Sequence, residues 1–92
     1  MLTSVYEDTL VVFTSDNGAR ILNHGKGQGG NNGQFKCGKG TTYEGGHRVP
    51  AIISYPAMIQ PGVNHQLVSS LDILPTISGL LSLPPMNRTL DG

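Results

Sequence analysis

Asp16 and Asn17 are the first residues in this sequence whose types suggest chemistry. They follow an apolar, β-branched run, and a carboxylate beside an amide gives two hard oxygen donors that suit Ca²⁺ or Mg²⁺. Neither ion is satisfied by two ligands, so further ligands would have to come from elsewhere. The alternative is a plain Asx turn, which Asp-Asn-Gly also favours.

Lys39 is the second candidate, in the tetrapeptide Cys37-Gly-Lys-Gly40. Glycines on both sides would let the backbone approach a ligand, and the ammonium group supplies three donors as a compact charge. This combination suits a tetrahedral oxyanion. A solvated lysine in a flexible loop is the alternative.

Other catalytic motifs fit the sequence less well. Residues 33–39 match the start of a phosphate loop, G-x-x-x-x-G-K, but Gly40 stands where Ser or Thr is required and the strand–loop–helix context is missing. We therefore exclude a nucleotide site. The three histidines show no zinc-ligand spacing.

Cys37 and Glu44 have more than one interpretation. Cys37 could be a nucleophile, but no histidine stands at an informative spacing, and half of a disulfide with a cysteine outside the chain is the alternative. Glu44 could be an acid or base, or could cap a helix or pair with Arg48.

Two apolar runs predict the strands that position these residues. Residues 9–14 are continuously apolar and β-branched, which is typical of a strand buried on both faces, as in a parallel sheet. Residues 49–55 predict a second strand, with Pro50 near its start. Asp16 and Asn17 therefore lie at the carboxyl end of a strand, where open α/β sheets bind their ligands.

A long glycine-rich loop and one helix complete the predicted elements. Residues 15–48 show neither helical nor strand periodicity, and a loop of this length is usually functional or mobile. Most of the basic residues lie in it, next to the acidic Asp16, so it could seat a cation and an anion side by side. Residues 70–81 predict an amphipathic helix with Asp72 as its N-cap, ended by Pro84-Pro85.

Size and charge limit the classes of protein. The chain has 92 residues and a formal net charge of zero, so it makes at most one domain and has no bulk field that would attract nucleic acid or a membrane. No apolar run is long enough for a transmembrane helix, and the first residues predict no secretory signal in this chain. Two strands and one helix cannot cover the exposed strand edges, so we expect a piece of a larger α/β protein.

Several ordered motifs resemble the sulfatase family, and the likeness extends over nearly the whole chain from residue 9. They are Thr-Leu-Val-Val-Phe-Thr-Ser-Asp-Asn-Gly at 9–18, Cys-Gly-Lys-Gly-Thr-Thr-Tyr-Glu-Gly-Gly at 37–46, Ser-Ser-Leu-Asp-Ile-Leu-Pro-Thr at 69–76 and Asn-Arg-Thr-Leu-Asp-Gly at 87–92. The resemblance is weakest in the insert at 21–32. It implies an alkaline-phosphatase-like fold, a mixed sheet between helices, of which residues 1–92 would be a middle-to-later part of the catalytic domain.

The resemblance also implies residue roles. Asp16 and Asn17 match a pair that binds the family's active-site Ca²⁺, and Lys39 matches the lysine that contacts the substrate sulfate. Cys37 matches a cysteine that pairs with one beyond Gly92, and Asn87, in a glycosylation sequon, matches a glycosylated position. Arg48 and Asp72 match positions with structural roles.

The family hydrolyses sulfate esters with a formylglycine made from Cys in a Cys-x-Pro-x-Arg motif, and this chain has no such motif. The resemblance therefore predicts a sulfuric ester hydrolase of the arylsulfatase type whose nucleophile-bearing part lies outside this chain, and we expect the chain alone to be inactive. The expected substrate is a sulfated small molecule, glycan or glycolipid, the expected location lysosomal or secreted, and the full-length protein could be a homo-oligomer. The alternatives are a phosphate or phosphonate ester hydrolase of the same superfamily, and a non-catalytic truncated product.

Overall fold

Short strands and helices joined by long connections make up residues 4–21 and 29–92, the part of the chain that the computed structural model describes. The chain divides into two units, Met1–Pro61 and Gly62–Gly92. The first unit holds both strands and one short helix, and the second holds a longer helix. No helix in the described ranges is both long and apolar enough to cross a membrane.

Two strands of the first unit form an antiparallel pair. Strand β1 is Val11–Phe13 and strand β2 is Ile52–Ser54, with Val12 opposite Ile53 in the register. Both strands were predicted, and both are shorter than their apolar runs. Pro50 lies before β2, so its missing N–H removes no hydrogen bond from the ladder.

The prediction that β1 is buried on both faces, as in a parallel sheet, is wrong for this chain. The side chains of Val11 and Phe13 are 44% and 60% exposed, and the strand pairs antiparallel. The reason is that nothing covers the sheet: residues 5–21 and 29–92 include no buried hydrophobic side chain. This agrees with the expectation that two strands and one helix cannot enclose a core.

A short helix, α1 (Glu44–His47), interrupts the loop in which no helix was predicted. The segment Glu-Gly-Gly-His has no hydrophobic periodicity, so its helical turn depends on contacts that the local pattern does not show. The N–H of Gly45 donates to the carbonyl of Lys36 at 2.9 Å. Arg48 Nη1 lies 2.8 Å from Glu44 Oε2, which confirms the ion pair suggested for these two residues.

The predicted helix of the second unit is confirmed, but its N-cap is different. A 3₁₀ turn, Ser70–Asp72, continues into helix α2, Ile73–Leu80. The cap is Ser69: its Oγ accepts from the N–H of Leu71 at 3.2 Å, and Asp72 Oδ2 accepts from the N–H of Ser69 at 2.7 Å. Asp72 therefore closes a capping box from its third position instead of capping the helix itself.

Helix α2 ends before the prolines that were expected to stop it. The N–H of Leu83 donates to the carbonyl of Ser78 at 3.0 Å, and the N–H of Ser82 donates to Gly79 at 3.1 Å. This is the Schellman pattern, with Ser82 in the left-handed region at φ 50° where glycine is usual. Backbone hydrogen bonds, and not Pro84-Pro85, therefore end the helix.

Candidate active site

The loop at 15–48 is held together by contacts between backbone segments. The four residues that are fully buried in the described chain are all glycines of this loop: Gly18, Gly38, Gly45 and Gly46. The N–H of Gly18 donates to the carbonyl of Gly46 at 2.9 Å. A Cβ on Gly18 would collide with the carbonyl oxygen of Gly45, so the absence of a side chain is what allows the segments to lie so close.

Asn32 joins the two candidate segments of the site. Its Oδ1 accepts from the N–H of Ala19 at 2.8 Å, and its Nδ2 donates to the carbonyls of Ala19 and Cys37 at 3.0 and 2.9 Å. One half-buried amide therefore ties the residues after Asp16-Asn17 to the residues before Lys39. No motif marks this role of Asn32, because the residue stands in the insert where the family resemblance is weakest.

Lys39 lies at the corner of a tight turn. The N–H of Thr41 donates to the carbonyl of Gly38 at 3.2 Å, and Gly40 has φ 89°, as in a type II turn, where the third residue must have a positive φ. Gly38 is pressed against Ala19, whose carbonyl also accepts from the N–H of Lys39 at 3.1 Å. The glycines beside Lys39 were predicted to admit a ligand: Gly38 instead packs against Ala19, whereas Gly40 faces open space.

Asp16 and Asn17 contact each other directly. Asn17 Nδ2 donates to Asp16 Oδ1 at 2.8 Å, and Ser15 Oγ donates to the carbonyl of Asn17 at 2.9 Å. The side chain of Asp16 is exposed and that of Asn17 is half-buried. The hydrogen bonds to the Asp16 carboxylate use Oδ1, whereas Asp16 Oδ2 and Asn17 Oδ1 accept no hydrogen bond from the described residues.

One pocket brings the two candidate segments together. It has a volume of about 400 Å³, and its wall includes Asn17 from the first segment and Lys39 from the second. Arg20, Asn31 and Arg48 also line it. Asp16 is not in the wall itself and is connected to it through its hydrogen bond to Asn17.

The charge around this pocket is positive. Its described lining contains three cationic side chains and no acidic one. Arg48 is paired with Glu44 and lies over the ring of Phe35, 4.8 Å from its centroid, so its charge is partly engaged. Arg20 and Lys39 have no ion-pair partner in residues 4–21 and 29–92, which suits the pocket to an anion.

The donor set at Asp16-Asn17 fits calcium only as part of a larger site. Its oxygens are of the type that Ca²⁺ prefers, but the ion takes six to eight of them. No cluster of three or more His, Cys, Asp or Glu side chains able to hold a metal exists in the described part of the chain. That further ligands come from outside this chain stays a prediction.

The other predicted site residues lie apart from the pocket wall. Cys37 is half-buried, has φ 60°, and presents its carbonyl to Asn32. Asn87 is exposed in the second unit. Residues 22–28, which make up most of the insert at 21–32, lie outside the described residues.

The chain belongs to the sulfatase family: the family model for sulfatases matches residues 1–83. This confirms the resemblance read from the motifs.

Full-length relatives in the same family are similar to the chain over nearly all of its length. Human arylsulfatase A is 54% identical over 86 residues, covering 94% of this chain and 17% of the relative. Dog N-acetylgalactosamine-6-sulfatase is 50% identical over 90 residues, covering 96% of this chain and 17% of the relative. Human steryl-sulfatase is 43% identical over 90 residues, covering 92% of this chain and 15% of the relative. The chain thus spans about a sixth of these relatives, and no solved structure gives a significant match.

Proposed function

We propose that this chain is a middle-to-later segment of the catalytic domain of a sulfuric ester hydrolase of the arylsulfatase type. Residues 1–92 would form part of an α/β domain of the alkaline-phosphatase-like kind. The observation that carries the proposal is the pocket that Asn17 and Lys39 share, in a chain of the sulfatase family. The relatives named as sulfatases support the same reaction class.

Lys39 is the residue proposed to bind the sulfate group. A sulfate ester is anionic, and in its hydrolysis negative charge grows on the sulfuryl and leaving oxygens. An ammonium group placed beforehand next to those oxygens stabilises that charge without reorganising during the reaction. The turn at 38–41 fixes the backbone of Lys39, which lines the pocket.

Asp16 and Asn17 are proposed to hold one Ca²⁺ ion together with ligands from outside this chain. When bound, a divalent cation supplies positive charge that polarises the sulfate oxygens. Support comes from the hydrogen bond that joins the two side chains and from the position of Asn17 in the pocket lining.

The formylglycine nucleophile of the family has no counterpart in these residues. The one cysteine, Cys37, is followed by Gly-Lys-Gly-Thr and not by x-Pro-x-Arg, so no step of the reaction is assigned to it. Its proposed role is a disulfide with a cysteine outside the chain. The upstream part of the full-length protein would supply the nucleophile.

The biological setting is proposed from the same family membership. A lysosomal or secreted location agrees with a glycan on Asn87, whose sequon is exposed. The substrate would be a sulfated small molecule, glycan or glycolipid, and the full-length enzyme could assemble with further copies of itself.

Replacing Lys39 tests the proposal. In the full-length protein, Lys39→Ala should reduce kcat for an aryl sulfate by about 10²–10³, the usual cost of removing one group that stabilises charge in the transition state. Lys36→Ala is the matched control, because Lys36 lies over the ring of Tyr43, 4.3 Å from its centroid, and does not line the pocket.

Two outcomes would contradict the proposal. A Lys39→Ala variant within twofold of the wild type would remove Lys39 from the site. Faster turnover of the matching aryl phosphate or phosphonate than of the aryl sulfate would instead favour the alternative reaction.

A further inference from the structure

Arg20 is a second cationic residue of the pocket, and no role has yet been assigned to it. It lines the same wall as Lys39 and Asn17, and its side chain is exposed. Sequence analysis counted it only among the basic residues of the loop.

The backbone of Arg20 is held by the same contacts that hold Lys39. Its carbonyl accepts from the N–H of Gly30 at 2.9 Å, and the preceding residue, Ala19, is bound on both sides by Asn32. The carbonyl of Ala19 also accepts from the N–H of Lys39. The backbones of the two cationic residues are therefore attached to one hydrogen-bonded junction.

The charge of Arg20 is available to a ligand. Arg48 is paired with Glu44 at 2.8 Å, whereas Arg20 makes no ion pair with any residue of the described ranges. A sulfate monoester carries one negative charge, which Lys39 can contact. A guanidinium group is a planar fork that matches a carboxylate or a sulfate through two parallel hydrogen bonds.

We infer that Arg20 is a specificity-determining residue that binds a second anionic group on the alcohol part of the substrate, so that the site selects dianionic sulfate esters. The second group is an oxyanion, a carboxylate or another sulfate. The selection of substrates by Arg20 rests on the proposed function. The preference of the pocket for dianions can be measured without turnover.

Calorimetry with two inert probes tests the inference in the full-length protein. The first probe, para-carboxybenzenesulfonate, is a dianion. The second, para-carbamoylbenzenesulfonate, has nearly the same shape but a single negative charge. Both are inert because a sulfonate keeps three oxygens on sulfur but has no ester bond to hydrolyse. The wild type should bind the dianion about tenfold more tightly, as one charged hydrogen-bonded contact would give. Arg20→Gln should abolish this preference without weakening binding of the carboxamide, and Arg20→Lys should keep part of it.

Arg88→Gln is the matched control, because it removes an arginine charge from the second unit and should leave the preference for the dianion unchanged.

A tenfold preference for the dianion that persists in Arg20→Gln, or no such preference in the wild type, overturns the inference. Aryl sulfate turnover, assayed on the same preparations, separates the two proposals. Turnover without an Arg20-dependent preference refutes only the inference, and an Arg20-dependent preference without turnover refutes only the hydrolase proposal.

Discussion

At the scale of single residues, the groups proposed for function make few contacts with the rest of the described chain. The side chains of Asp16 and Lys39 are exposed, and neither is part of an ion pair in the described residues. Surface substitutions of this kind usually change the free energy of unfolding by less than about 0.5 kcal/mol. The free energy of unfolding of each full-length variant, measured beside binding and turnover, separates a loss of function from a loss of structure.

Asp16→Ala should weaken calcium binding by the full-length protein. The change removes a charged oxygen ligand, and we expect the calcium dissociation constant to rise by about tenfold or more. Isothermal titration calorimetry measures it directly. Asp8→Ala, which removes an exposed carboxylate outside the pocket, is the control, and equal calcium affinity in the two variants would exclude Asp16 as a ligand.

At the scale of elements, the glycine-rich loop has a defined structure because backbone groups and one amide replace a hydrophobic core. Asn32 makes three hydrogen bonds across it, and the buried glycines let its segments touch. The Glu44–Arg48 ion pair also stabilises the loop, but a surface ion pair contributes at most about 1 kcal/mol to the free energy of unfolding. The loop therefore depends more on Asn32 than on its many charges.

Asn32→Asp should destabilise the loop. The carboxylate keeps the shape of the amide but cannot donate to the carbonyls of Ala19 and Cys37, and it faces both of them with a negative charge. We expect a loss of about 2–3 kcal/mol in the free energy of unfolding of the full-length protein, measured by denaturant titration. Asn31→Asp is the neighbouring control, because Asn31 Oδ1 only accepts, from the N–H of Gly33 at 2.7 Å. Similar stability of the two variants would refute the role of Asn32.

At the scale of the whole molecule, the described chain has secondary structure but no enclosed core. Large apolar side chains such as Phe13, Ile52 and Leu67 are 60%, 60% and 98% exposed. Burial of apolar surface is the main favourable contribution to folding, so these side chains need a covering that residues 5–21 and 29–92 do not provide. The relatives, of which the chain spans about a sixth, are long enough to supply such a covering.

The isolated 92-residue chain should neither fold cooperatively nor hydrolyse sulfate esters. Without buried apolar surface it should be cleaved rapidly by protease and show no sharp thermal transition in circular dichroism. It should also give no turnover of an aryl sulfate, since it has no Cys-x-Pro-x-Arg motif. A protease-resistant, cooperatively unfolding chain would identify an independent module, and measurable hydrolysis would refute the expected inactivity.

Sequence reasoning succeeded where the determining pattern is local. The two strands, the helix of the second unit and the Glu44–Arg48 pair follow from residues that are near neighbours in the chain. The family membership follows from motifs whose order and spacing can be read directly. The N-cap was misplaced by three residues, because both Ser69 and Asp72 are good capping residues and only the hydrogen bonds distinguish their positions.

The sequence by itself determined the chemistry that is available: a carboxylate and an amide after a strand, a lysine between glycines, and too few apolar elements to enclose a core. Only the tertiary structure decided that β1 and β2 pair antiparallel, that Asn32 ties the loop together, and that Arg20 shares a pocket with Lys39. The physical reason is distance along the chain. These features depend on hydrogen bonds and contacts between residues that are far apart in sequence, and no local propensity or periodicity records them.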